Sequence, residues 1–193
     1  MKVRILLFTA MTTLLSPKVQ AQQFPYKNST LPTEKRVSDL LGRMTVEEKV
    51  GQLSKLLGWD MYEKQGKQVG VSDKLRKAVK EQHIGLLWAT LRADPWTQKT
   101  LLNGLSPVEA ARATNAIQRY MLDSTRLGIP LLLSEEAPHG HMAIGATVFP
   151  TAIGQASTWN PVLIERMAST IAQETYAVGG KNGYGPVVDL ARD

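Results

Sequence analysis

The apolar positions of this chain follow two rhythms. Consecutive apolar runs, "IGLLWA" at 84–89 and "GIPLLLS" at 128–134, have the form of short strands covered on both faces. Elsewhere apolar residues recur every third or fourth position, as on a helix with one buried side. Val37, Leu40, Leu41 and Met44 are spaced so, as are Val46, Val50, Leu53 and Leu57 in a second helix, and Leu163, Ile164, Met167 and Ile171 in a late one. Polar residues mark the helix starts. Thr45 with Glu48, and Ser106 with Glu109, have capping-box spacing, in which side chains and backbone amides exchange hydrogen bonds. Pro107 suits a first helical position, Ser72 caps a helix carrying Leu75 and Val79, and Asn160 with Pro161 opens a helix that Gly179 closes. The polar segment 58–70 reads as a loop, "AIGQAS" at 152–157 as a short strand, and "YGPVVDLARD" at 184–193 as the final strand.

Strands alternating with amphipathic helices imply βα units and a parallel sheet, hence an α/β fold. In such folds, function gathers at the carboxyl ends of strands. Two segments occupy such ends: "LRADPW" at 91–96, and "EEAPHGH" at 135–141, which places two acids and two of the three histidines together.

The first residues, "MKVRILLFTAMTTLLSPKVQAQ", join a basic start to an apolar run from Ile5 to Leu15 and a small-residue site ending at Ala21. This is the pattern of a secretory signal peptide over residues 1–21. The run is shorter than the roughly 20 residues that cross a bilayer, so no membrane anchor is expected and the protein is assigned to the periplasm or the extracellular space. Residues 22–32, with Pro25 and Pro32, form an extended lead-in, and 33–193 form the α/β part. A (β/α)8 barrel takes about 250 residues. With the leader removed, 193 less 21 leaves 172 residues and about four strands, too few for a whole barrel, so the chain is either the N-terminal part of a TIM-like barrel, incomplete in this chain, or a doubly wound sheet.

Charge narrows the partners. The formal +6, less Lys2, Arg4 and Lys18 of the leader, leaves +3, too little to argue for nucleic acid. The Lys/Arg positions from Lys74 to Lys80 are spaced like the solvated side of a helix. The chain has no cysteine, which removes disulfides, thiol catalysis and cysteine metal sites.

Neighbours in an extended strand point to opposite sides, so Glu135 and Glu136 cannot both serve one reacting centre. One faces the pocket; the other supports the loop or meets solvent. Glu136, His139 and His141 together would suit zinc by ligand type, but they lack the helical His-Glu-x-x-His spacing and His83 precedes a different strand. Shaping a tight glycine-containing loop is the better account of the histidines, and no metal or other cofactor is expected. "VGGKNGYG" follows a helix and precedes a strand, which is a helix stop and not a phosphate loop. No serine lies in a Gly-x-Ser-x-Gly elbow. Among the tryptophans, Trp88 and Trp159 read as core or loop anchors, whereas Trp96, in a polar loop with Arg92, is a candidate platform for a sugar ring.

The run "GIPLLLSEEAPHGHMAIGATVFPTAIGQASTWNP", followed by "GYGPVVDLARD" and preceded by "RMTVEEKVGQL", resembles the N-terminal barrel domain of glycoside hydrolase family 3. The resemblance implies a (β/α)8-like barrel followed by an α/β sandwich domain. It also implies retaining hydrolysis of terminal β-linked glucose or xylose, through a glycosyl intermediate on a barrel aspartate. In the family the acid of the acid-Ala-x-His-Gly turn binds substrate hydroxyls; it maps onto Glu136, where many relatives have Asp. Arg92, Trp96 and His139 are weaker candidates for the same sugar. The nucleophile and the acid/base are expected beyond Asp193, so no catalytic residue is assigned within the chain and the chain alone is expected to be inactive. A β-linked glucoside or xyloside is the substrate expected for the full-length parent. The other reading is a non-catalytic sugar-binding or interaction protein derived from the barrel.

Overall fold

A computed structural model describes residues 24–189. In chain order its elements are α1 (Thr33–Arg43), α2 (Val46–Leu53), β1 (Lys55–Leu57), β2 (Tyr62–Gln65), β3 (Gln68–Val71), α3 (Asp73–Gln82), β4 (Leu86–Trp88), α4 (Pro107–Ser124), β5 (Leu132–Glu136), α5 (Ala152–Ala156), α6 (Pro161–Ala177) and β6 (Asn182–Tyr184). They divide into two units after Arg43. The expected leader lies outside the described residues.

In the first unit, Pro25–Lys27 form a 3-10 turn, so the lead-in is not extended throughout. Local bonds explain the turn: Asp39 accepts the amide of Tyr26 at 3.1 Å and pairs with Arg43 one helical turn on, while Arg36 donates to the Tyr26 carbonyl at 2.9 Å.

The second unit is organised by its helix starts. Both capping boxes form, Thr45 with Glu48 and Ser106 with Glu109. Ser72 accepts the amide of Leu75, and Asn160 that of Leu163. These caps satisfy amides that the first helical turn leaves without partners. The main sheet has the order β1-β4-β5-β6 and is parallel throughout. α2 ends hard against the start of β4: a Cβ on Gly51 would collide with the His83 carbonyl, and one on Gly85 with the backbone of Gln52.

Strand alternation sorts the residues. Leu56, Leu87 and Leu133 face α3 and α4 and join Leu75, Val79, Ile117 and Met121 in the core. Burying each such side chain contributes about 1.5–3 kcal/mol. The alternate residues Lys55, Leu57, Leu86, Trp88, Leu132, Ser134, Glu136, Asn182 and Tyr184 share the other face, where Leu57 and Leu132 remain exposed. That second face is covered only in part: Ser134 is buried on it and Leu86 and Trp88 are half-buried, so the strands are not fully covered on both faces.

Several local expectations are corrected. α2 stops at Leu53, so Leu57 belongs to β1, and Val46, Val50 and Leu53 are 71%, 59% and 85% exposed instead of buried. Segment 58–70 contains most of an antiparallel hairpin, Tyr62 opposite Val71 and Gln65 opposite Gln68, turning at Gly66 with φ +60°. Its buried Tyr62 packs on Leu91 and Leu105, which is why a polar segment holds regular structure. "AIGQAS" falls in α5, fixed by Gln155 donating to the carbonyl of Pro150 at 2.7 Å. The final strand ends at Tyr184, and 185–189 have no regular structure. On α6 only Ile171 of the predicted stripe is buried; Ile164 and Met167 are half-buried and Leu163 is exposed, because among the described residues no strand lies beyond β6.

Candidate functional site

The carboxyl ends of β4, β5 and β6 bring Trp88, Glu136 and Tyr184 together. β5 runs through both acids and sends them to opposite faces. Glu135 is 1% exposed on the helix side. Its carboxylate accepts the amide of Thr90 at 3.0 Å and that of Leu91 at 3.2 Å, and His141 Nε2 lies 3.3 Å away. Ala89, at φ +58°, turns the chain at the end of β4 so that these two successive amides aim at one carboxylate. Glu135 and His141 thereby fasten the loops after β4 and β5 to the strand.

Glu136 lies on the open face. Its Oε1 accepts the indole N–H of Trp88 at 2.8 Å, and among the described residues no other group donates to its carboxylate. Trp88 belongs to a chain of rings: its centroid is 5.7 Å from Trp96 and 6.0 Å from Tyr184, and Trp96 is 4.7 Å from Trp59. Lys55 Nζ donates to the Tyr184 hydroxyl at 2.8 Å and lies 5.3 Å from the Trp88 ring centroid. Such contacts combine apolar packing with ring electrostatics.

Arg92 stacks on Trp96 at 4.8 Å and pairs with Asp94 at 2.6 Å. Burial opposes ionisation of Asp94, but the Thr97 amide and the Arg92 guanidinium outweigh it and hold the carboxyl below its usual range. The same Asp94–Thr97 exchange makes the loop a tight turn that presents Trp96 half-exposed.

The sequence-derived candidates are thus partly assembled. Glu136, Trp96 and Arg92 share the carboxyl end of the sheet through the Trp88 ring. His139 does not join them: its backbone carbonyl accepts from Phe149 at 2.8 Å, and its imidazole makes no hydrogen bond among the described residues. His141 faces Glu135 instead of Glu136, and among the described residues no three potential metal ligands are gathered. Sequence reasoning missed Trp88, Trp59, Lys55 and Tyr184. Strand parity was the available signal for Trp88, which sits opposite Ser134 and on the same face as Glu136. Trp159 is 92% exposed, which corrects its reading as a core or loop anchor.

Two cavities lie elsewhere. One of about 880 Å³, lined by Glu48, Lys80, His83, Tyr120 and Arg126, opens where helices lead into β4 and β5, at the amino end of the sheet. The other, about 370 Å³, lies between α6 and the β6 edge and is lined by Ile164, Met167, Ile171, Ala172 and Pro186. Neither includes Glu136 or Trp88.

A parallel α/β sheet carrying a carboxylate and an aromatic surround at its carboxyl end belongs to the class of α/β proteins that gather their ligand sites at the carboxyl ends of the strands. Residues 45–193 match the glycosyl hydrolase family 3 N-terminal domain, and the chain belongs to that family. It is 30% identical over 177 residues to a putative β-xylosidase of Formosa agariphila, covering 91% of this chain and 22% of that protein. A periplasmic β-glucosidase/β-xylosidase of Dickeya chrysanthemi is 29% identical over 179 residues, covering 88% and 25%. The fold resembles that of a β-glucosidase from Erythrobacter marinus, with a TM-score of 0.68, 24% identity, and coverage of 88% of this chain and 20% of that one. The chain spans about a quarter or less of the length of these proteins. Its fold is that of the family's N-terminal, TIM-barrel-type domain.

Proposed function

We propose that this chain supplies the sugar-gripping part of a retaining, exo-acting β-glycosidase that removes terminal β-linked glucose or xylose from oligosaccharides or glycosides. The carrying observation is the Glu136 carboxylate, held by one indole among aromatic rings at a strand's carboxyl end, with its second oxygen unpartnered among the described residues. A carboxylate accepts sugar hydroxyls through charge-assisted bonds, and ring faces cover the C–H side of a pyranose.

Retaining hydrolysis needs two carboxyl groups about 5 Å apart on either side of the scissile bond. Glu135 and Glu136 are not such a pair, because β5 sends them to opposite faces and Glu135 is committed to backbone amides. By the family's pattern the nucleophile and acid/base follow Asp193. On this reading the chain alone does not cleave glycosides, and Glu136 is the group through which it would hold a sugar. Residues 1–21 act as an export leader, 22–32 as the lead-in, and 33–193 as the barrel part; export agrees with the periplasmic relative.

The purified chain is expected to leave nitrophenyl β-glucoside and β-xyloside intact. Calorimetry with glucose and xylose is expected to give saturable heat that Glu136→Gln weakens by about tenfold, the scale of one hydrogen bond to a charged group. Turnover by the chain overturns the assignment of the catalytic groups. Heat that is absent, or indifferent to Glu136→Gln, overturns the assignment of the sugar site.

A further inference from the structure

We propose that Trp88 is a positioning residue: its indole N–H fixes the Glu136 carboxylate in one orientation, so that the second carboxylate oxygen is presented to a hydroxyl of a neutral sugar. This rests on the reading of Glu136 as the sugar-binding acid.

Strand geometry puts the two residues together. Trp88 and Ser134 are opposite one another in the parallel ladder, and Glu136 lies two residues further along β5 on the same face. The indole leans toward the carboxyl end of the sheet to reach it, and the contact is 2.8 Å. An indole N–H can only donate, so the carboxylate is the acceptor and the bond is charge-assisted.

The ring is itself held. Trp96 packs on it at 5.7 Å, Tyr184 at 6.0 Å, and the Lys55 ammonium lies 5.3 Å from its centroid. The ordering cost of the Glu136 side chain is therefore met during folding, and a ligand finds the acceptor already aimed.

The choice of partner matters as well. A guanidinium or ammonium on Glu136 would neutralise the carboxylate, whereas the indole is neutral and leaves its full negative charge to a hydroxyl donor. The nearby cations are otherwise engaged, Arg92 with Asp94 and Lys55 with the Tyr184 hydroxyl.

The chain has four tryptophans, so a nitrogen–proton correlation spectrum should carry four indole signals. Trp88→Phe identifies one of them by its loss, and Glu136→Gln is expected to move that same signal upfield. Calorimetry with methyl β-glucoside and methyl β-xyloside is then run on wild type, on both single variants and on the double variant. Trp88→Phe is expected to weaken binding about tenfold, and the double variant to bind no worse than Glu136→Gln alone. Circular dichroism checks that each variant keeps its fold. A Trp88 indole signal indifferent to Glu136→Gln overturns the proposal whatever the sugars do, and so does a double variant whose losses simply add. A wild-type chain giving no heat with either glycoside overturns the sugar reading itself, and with it the ligand assigned here.

Discussion

At Glu135 a carboxylate shut away from water accepts the amides of Thr90 and Leu91 and faces His141. Glu135→Ala would strand two backbone donors and a buried imidazole, at a cost of about 2–4 kcal/mol. A fall of that size in unfolding free energy, measured by urea titration, is the expected outcome; a loss under about 0.5 kcal/mol, the level of an ordinary surface change, would mean the clamp contributes nothing. Glu136, one position on, has the opposite balance: partly exposed and held by a single donor, it is available to a ligand. The division of roles between the two acids was legible in the sequence, because alternation in a strand follows from backbone geometry alone. Which acid faced inward was not, since that depends on the side from which the helices cover the sheet. Trp88 was misread for a related reason. An apolar run hides parity, and its terminal indole looked like more core until the register with β5 placed it beside Glu136.

Among the elements, α4 has the strongest start. Glu109 receives the Ser106 amide, the Lys64 ammonium and the Ser106 hydroxyl, and together these lower its pKa from the ordinary 4.5 to about 2. A carboxyl lowered on folding contributes stability that is fully present above its unfolded pKa and is lost as pH falls through its folded one. The wild-type thermal midpoint should therefore fall between pH 4.5 and about 2. Glu109→Ala should flatten that part of the profile; an unchanged slope would show that other carboxylates govern it. The caps of α2, α3, α4 and α6 were all readable in advance, since capping is a local exchange between residues three apart. The β2–β3 hairpin was not readable. Its residues are polar and pair across a glycine turn, and what holds it is the burial of Tyr62 against Leu91 and Leu105, far along the chain. α5 was mistaken for a strand because five residues are too few to display a helical period.

For the molecule as a whole, the decisive fact is what the sheet leaves uncovered among the described residues. β1 and β6 are its edges, and Leu57 and Leu132 lie bare on the open face. Unpaired parallel edges beside apolar surface favour association. The isolated chain is expected to sediment with a mass that rises with concentration and to bind a hydrophobic dye; a concentration-independent monomer that excludes the dye would count against this. The parallel α/β class was legible from the alternation of apolar runs with capped helices. The openness of one sheet face was not, because continuous apolar runs look the same whether one face or both are covered. The meeting of Lys55 with Tyr184 has a further consequence. These residues belong to the first and last strands of the sheet, whose backbones in a flat sheet would lie roughly 14 Å apart with side chains standing parallel to one another. Yet the ammonium and the phenol touch at 2.8 Å. The two side chains must lean toward one another across the sheet, and the lysine thereby ties its first and last strands together on the face that carries Glu136.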